Sequence, residues 1–210
     1  DNVAIIGETG SGKTSLAKLF MEFYSPDKGH IYVDGAELQN FEVQEIRKAV
    51  VYVSQEDFLF TASVRENLKM GNEEISDEEM IEISRKMGVH QFVSKMEREY
   101  DSVLEERGKN LSKGQRQKLS LTRAILRHPK ILILDEATSN MDSISEREIL
   151  NYIKGIRDIT LILISHRINV IADSDCIYVL QKGNIVARGT DEQLKEQCEL
   201  YRQLYGEEEK

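Results

Sequence analysis

The chain has 210 residues, enough for one domain or one domain with a subdomain. With 40% apolar and 31% charged residues it has a globular composition that excludes global disorder. A formal net charge of −9 argues against a broad nucleic-acid surface, Cys176 and Cys198 are too few for a disulfide framework, and no apolar run approaches the ~20 residues of a membrane helix. The expectation from composition is a soluble, acidic, intracellular-type domain in a reducing compartment. Asp1-Asn2-Val3 has neither an initiator Met nor a signal peptide and runs straight into an apolar strand, so the chain is expected to be a piece of a longer polypeptide.

In chain order, Val3–Ile6 is a short β-branched strand, and Gly12–Tyr24 reads as a helix with Leu16, Leu19, Phe20 and Phe23 on one face. Ser25–Gly29 is a breaker cluster. Ile31–Val33, a turn at Asp34-Gly35 and Glu37-Leu38 predict a small antiparallel excursion, and Val50–Val53 a buried strand. From Phe58 to Arg127 the pattern is helical. Ser76–Glu79 and Ser112–Gln115 are capping-box signatures, opening helices that run to Gly88 and to about Arg127. After Pro129 the α/β alternation resumes with a strand at Ile131–Leu134, a helix at Ser143–Ile156 and a strand at Ile159–Ile164. Cys176–Leu180 and Asn184–Ala187 flank a hairpin turn at Lys182-Gly183, helical patterns follow from Asp191, and residues 206–210 read as a frayed tail. The expected organisation is an α/β core from 1–57 and 128–210, with a mostly parallel sheet, interrupted by an α-helical subdomain at 58–127.

Gly7-Glu8-Thr9-Gly10-Ser11-Gly12-Lys13-Thr14 matches G-x-x-x-x-G-K-[ST] at every fixed position. A strand ends there, glycines let the backbone curl its N–H groups inward, and the next helix brings its positive dipole end to the same point. Lys13 would reach the β- and γ-phosphates and the Thr14 hydroxyl a Mg²⁺ ion. A plain glycine-rich turn would also fit, but a chance match is about a one-per-cent event in a chain of this length. The motif therefore marks a nucleoside-triphosphate site on a P-loop NTPase core. Ile131–Leu134 runs into Asp135 and Glu136. At the carboxyl end of a strand beside a phosphate loop, Asp135 can serve Mg²⁺ and Glu136 can polarise an attacking water, although two acids at a strand exit are common on their own. Gln55 and His166 also follow strands, and only that position singles them out.

Together these residues resemble the nucleotide-binding domain of an ATP-binding cassette (ABC) transporter. The likeness is carried by Gly7–Thr14, Gln55, Leu111-Ser112-Lys113-Gly114-Gln115, Leu134–Ser139, Asn140-Met141-Asp142 and Ser165-His166-Arg167. It implies ATP and Mg²⁺ as cofactors. The nucleotide would be held by Gly7, Glu8, Thr9, Gly10, Ser11, Gly12, Lys13, Thr14 and Ser15, with Gln55, Ser112, Gly114, Gln115 and Asp142 completing the set. Thr14, Gln55 and Asp135 would serve the metal, Glu136 would act as general base, and His166 and Gln55 would support the γ-phosphate and water. The resemblance also implies a second, identical or divergent, nucleotide-binding domain as partner, a transmembrane domain of the same transporter, and a place at the cytoplasmic face of the membrane. Locally, a helix cap explains Ser112 and Gln115 equally well.

Phe58-Leu59-Phe60, Ser63–Leu68 and Glu106-Arg107-Gly108 are similar to exporter sequences, and Asn140 to bacterial peptide and bacteriocin exporters. Lys113 departs from the family's glycine, and a cation at a helix start costs about 0.3–1 kcal/mol. The family's two early antiparallel strands and its adenine-stacking aromatic are expected to be truncated here, weakening base affinity. The expectation is an ATPase domain that dimerises on ATP and powers export. A degenerate ATP-binding regulatory cassette and a soluble non-transport ABC ATPase are the alternatives.

Overall fold

The computed structural model describes residues 1–56 and 58–208. Its elements run β1 (Asn2–Gly7), α1 (Lys13–Phe20), β2 (Tyr32–Val33), β3 (Ala36–Glu37), α2 (Val43–Ala49), β4 (Val50–Val53), α3 (Val64–Lys69), α4 (Asp77–Lys86), α5 (His90–Val93) and α6 (Lys113–Leu126). They continue β5 (Ile131–Asp135), α7 (Ser143–Lys154), β6 (Thr160–Ile164), α8 (Ile168–Ile171), β7 (Cys176–Gln181), β8 (Asn184–Gly189), α9 (Asp191–Gln197) and α10 (Glu199–Glu208). The chain forms two compact units. One comprises Asp1–Tyr52, Lys130–Glu136 and Ile159–Lys210, the other Val53–Pro129 and Ala137–Asp158.

The first unit is built on a six-stranded sheet in the order β4-β5-β6-β1-β7-β8. β1 lies parallel to both β6 and β7, with Val3 opposite Ile162 and Ile6 opposite Val179, while β5 is parallel to β6. Such strands carry unbroken apolar runs because helices cover both faces. Ala4, Ile5 and Ile6 are consecutive and all buried, as are Leu132, Ile133 and Leu134. On one face Ile5, Ile133, Ile164 and Leu180 pack with Ala17 and Met21, and with Leu38, Ile46 and Val50. β8 closes the sheet antiparallel to β7. Lys182 (φ 48°) and Gly183 (φ 81°) supply the two left-handed residues that a tight hairpin requires, and Asp34 (φ 50°) with Gly35 (φ 80°) does the same between β2 and β3.

The first helix is shorter than its apolar pattern predicts. It stops at Phe20, and Glu22 at φ 50° turns the chain away. Met21 takes the core position, while Phe23 and Tyr24 are 50% and 61% exposed. At the other end, α10 is helical through Glu208, past the Gly206 where a frayed tail was expected to begin, and residues 209–210 lie outside the described region.

The second unit centres on α6, whose Leu119, Leu121, Ala124, Ile125 and Leu126 are buried. Val64 and Leu68 of α3 and Met80 and Ile83 of α4 are buried too. Ser63 and Glu66 form a reciprocal capping box on α3. The buried Asn67 ties the preceding loop down: its Nδ2 donates to the Phe60 and Ser63 carbonyls, and its Oδ1 accepts from the Phe60 N–H. The helix Ser143–Ile156, expected in the α/β core, ends at Lys154 and groups with this unit instead. Lys118 Nζ of α6 donates to Ser145 Oγ, and Lys86 Nζ of α4 lies 5.6 Å above the Tyr152 ring. Among the described residues no helix is long and apolar enough to cross a membrane.

Candidate functional site

In the first unit, β1 ends at Gly7 and the loop that follows curls through two left-handed glycines, Gly10 (φ 81°) and Gly12 (φ 104°), before α1 starts at Lys13. Gly7 is required sterically: a Cβ there would sit 2.2 Å from the Leu180 carbonyl oxygen of β7. Lys13 Nζ donates to the Gly7 carbonyl (2.6 Å) and the Glu8 carbonyl (3.0 Å), so its ammonium is held over the loop. Burial lowers the Lys13 pKa, and the charges of Glu136 and Asp135 work against that shift. Among the described residues the buried Ser11 hydroxyl has no hydrogen-bond partner. A loop of this shape with an ammonium above it and a helix start beneath is a cradle for phosphate oxygens.

β5 delivers the two acids expected of it. Asp135 is buried, and its Oδ2 accepts from Thr14 Oγ1 at 2.7 Å and from Tyr52 Oη at 2.8 Å. The Thr14–Asp135 contact joins residues that are 121 positions apart, and two hard oxygen donors so placed suit a small divalent cation. Among the described residues no group of three or more His, Cys, Asp or Glu side chains could hold a metal. One carboxylate and one hydroxyl form a donor set that fits a cation whose remaining ligands are phosphate and water oxygens.

Glu136 adopts φ 55°, a left-handed backbone that only a fixed surrounding holds in a non-glycine residue. Its N–H donates to the Ile164 carbonyl, which places its side chain at the end of β6. There His166 Nδ1 lies 2.8 Å from Glu136 Oε1 and equally close to Oε2. An ionised carboxylate only accepts, so Nδ1 is the donor in this contact. The direct Glu136–His166 pair has no counterpart in the one-dimensional pattern.

In the second unit, Ser112 caps α6 reciprocally. Its Oγ accepts from the Gln115 N–H (3.2 Å), and its own N–H donates to Gln115 Oε1 (2.9 Å). The helix start is pressed against the loop after Ala137: a Cβ on Gly114 would meet the Asn140 carbonyl at 3.2 Å, and the buried Gln117 accepts the Asn140 N–H. Asp142 caps α7 by accepting from the Ser145 N–H at 2.9 Å, and these hydrogen bonds hold its pKa below the ordinary aspartate value. Ser112, Gly114, Gln115 and Asp142 line one groove of about 540 Å³ together with Lys95 and Lys113. Gln55 lines a second groove of about 770 Å³ with Phe58, Arg107 and Arg116, and Lys113 borders both grooves. Tyr52 and Gln117 were not among the expected site residues; a single phenol in the apolar strand Val50–Val53 is the trace that Tyr52 leaves in the sequence.

A sequence model of the family described as ABC transporter matches residues 1–139. This chain belongs to the ABC transporter family, as an ATP-binding domain homologous to those of exporters. It is 43% identical over 195 residues to the heterocyst differentiation ATP-binding protein HepA of Nostoc sp. (strain PCC 7120 / SAG 25.82 / UTEX 2576), covering 92% of this chain and 32% of that protein. It is 40% identical over 203 residues to the lactococcin-G-processing and transport ATP-binding protein LagD of Lactococcus lactis subsp. lactis, covering 96% and 29%. The structure of a bacterial Atm1-family ABC exporter with ATP bound superposes on all of this chain and 37% of its own, with a TM-score of 0.95 and 31% identity. The chain thus spans about a third of the length of these relatives.

Proposed function

We propose that this domain hydrolyses ATP with magnesium and thereby powers export of a substrate through an associated transmembrane domain, working as one of two nucleotide-binding domains at the cytoplasmic face of a membrane. The observation that carries the proposal is the convergence of Lys13, Thr14, Asp135, Glu136 and His166 at the carboxyl ends of adjacent strands. The backbone N–H groups of Gly7–Thr14, with Lys13 and Ser15, bind and orient the triphosphate. Thr14 and Asp135 hold the cation, with Gln55 assigned as a further contact. When bound, magnesium supplies charge neutralisation across the phosphate oxygens. Glu136 accepts the proton of the attacking water, and His166, anchored through Nδ1, keeps that carboxylate aimed. Ser112, Gly114, Gln115 and Asp142 present a capped helix start to the nucleotide of the second domain. The transport role that LagD is named for and the ATP-bound exporter of matching fold support the coupling to export.

The test is Glu136→Gln. Turnover of Mg-ATP is expected to fall about 10²–10⁴-fold, the range of a lost general base, while nucleotide binding persists. Phosphate release at the parent rate by this variant would overturn the assignment of Glu136.

A further inference from the structure

We propose that Tyr52 is a positioning residue for the divalent cation: its phenol holds the Asp135 carboxylate in one orientation and so sets how tightly and how selectively the phosphate site takes up magnesium. This inference rests on the nucleotide and magnesium reading above and deepens it.

In β4, Val50, Val51 and Val53 are buried and apolar, and Tyr52 is the one residue with a polar tip. Its ring packs against the apolar cluster that includes Ile5, Ala17 and Ile133. A phenol in such a place needs a partner, and a satisfied core tyrosine would be the bland account. The choice of partner argues for more. Tyr52 Oη (2.8 Å) and Thr14 Oγ1 (2.7 Å) donate to the same atom, Oδ2 of Asp135. A hydroxyl that donates its proton still has lone pairs for a cation, so Thr14 can serve Oδ2 and a metal at once. The carboxylate is thus held from two sides, by Thr14 from α1 and by the phenol from β4.

Orientation matters most for magnesium. It demands near-ideal octahedral geometry and gives up water reluctantly, whereas calcium accepts variable coordination. A carboxylate free to swing therefore loses more as a magnesium partner than as a calcium partner.

Tyr52→Phe keeps the ring and its packing and removes only the donor. A non-hydrolysable ATP analogue is titrated calorimetrically, first without metal and then at rising Mg²⁺ or Ca²⁺. The metal-free affinity is expected to stay within about twofold of the parent, while the Mg²⁺ concentration for half-saturation rises about tenfold, the size of one hydrogen bond to a charged group. The Ca²⁺ midpoint is expected to move by less than about threefold. An unchanged Mg²⁺ midpoint overturns the inference, and so do equal losses in the metal-free, Mg²⁺ and Ca²⁺ arms, which would mark a packing role. A parent chain that binds no magnesium nucleotide overturns the underlying reading together with this inference. Normal parent binding with an indifferent variant overturns this inference alone.

Discussion

A methyl group at Gly7 would lie 2.2 Å from a backbone oxygen of the neighbouring strand, and backbone cannot step aside as a side chain can. Gly7 sits opposite Leu180 in the β1–β7 register, so the clash falls at the point where the strand becomes the phosphate loop. Gly7→Ala is expected to destabilise the chain by about 3 kcal/mol, the upper end for overpacking. For a chain of this size that is about 6–12 °C in melting temperature, read by circular dichroism. A melt equal to the parent's would contradict the close approach of β1 and β7. Glu136 shows the opposite economy. It holds a left-handed backbone despite its Cβ, a conformation that costs about 1–3 kcal/mol and persists only where the surroundings over-determine it. Its N–H bond to Ile164 and its side-chain contact with His166 are those surroundings.

At the scale of elements, α6 depends on its cap. Ser112 Oγ satisfies the Gln115 N–H, one of the orphan donors of a 14-residue helix that carries much of the second unit's core. Ser112→Ala is expected to cost about 1 kcal/mol, or 2–4 °C of melting temperature, while Ser112→Asn, which keeps a capping oxygen, should melt close to the parent. Equal melting of both variants and the parent would show that the cap contributes nothing. This cap was legible because its signals lie within four residues, as were the phosphate loop, the strand ending in Asp135-Glu136 and the two hairpins at Asp34-Gly35 and Lys182-Gly183. Ser63-Val64-Arg65-Glu66 carries the same Ser-x-x-Glu signature, yet its six-residue helix offers too short an apolar period to mark it as one. The early end of α1 depends on the backbone of Glu22, which helix periodicity does not report. Tyr52–Asp135 and Glu136–His166 were illegible for a different reason. They join residues 83 and 30 positions apart, and only strand pairing brings them within reach.

For the molecule as a whole, charge opposes the proposed partnership. Two copies of a chain with formal charge −9 repel at long range, and each brings a nucleotide that adds negative charge. If two domains close on ATP, short-range contacts at the phosphate sites must overcome that repulsion, and salt should help them. Raising ionic strength from about 0.01 M to 0.1 M shortens the Debye length from about 30 Å to about 10 Å, which screens whole-molecule repulsion more than contacts at close quarters. The Glu136→Gln chain at saturating Mg-ATP, examined by sedimentation velocity, is therefore expected to show a larger dimer fraction at the higher salt. Without nucleotide it should sediment as a monomer at both. A dimer fraction that falls as salt rises would mean that the joining surfaces attract through opposite charges, and a monomer under every condition would contradict ATP-driven pairing of this domain with its own copy.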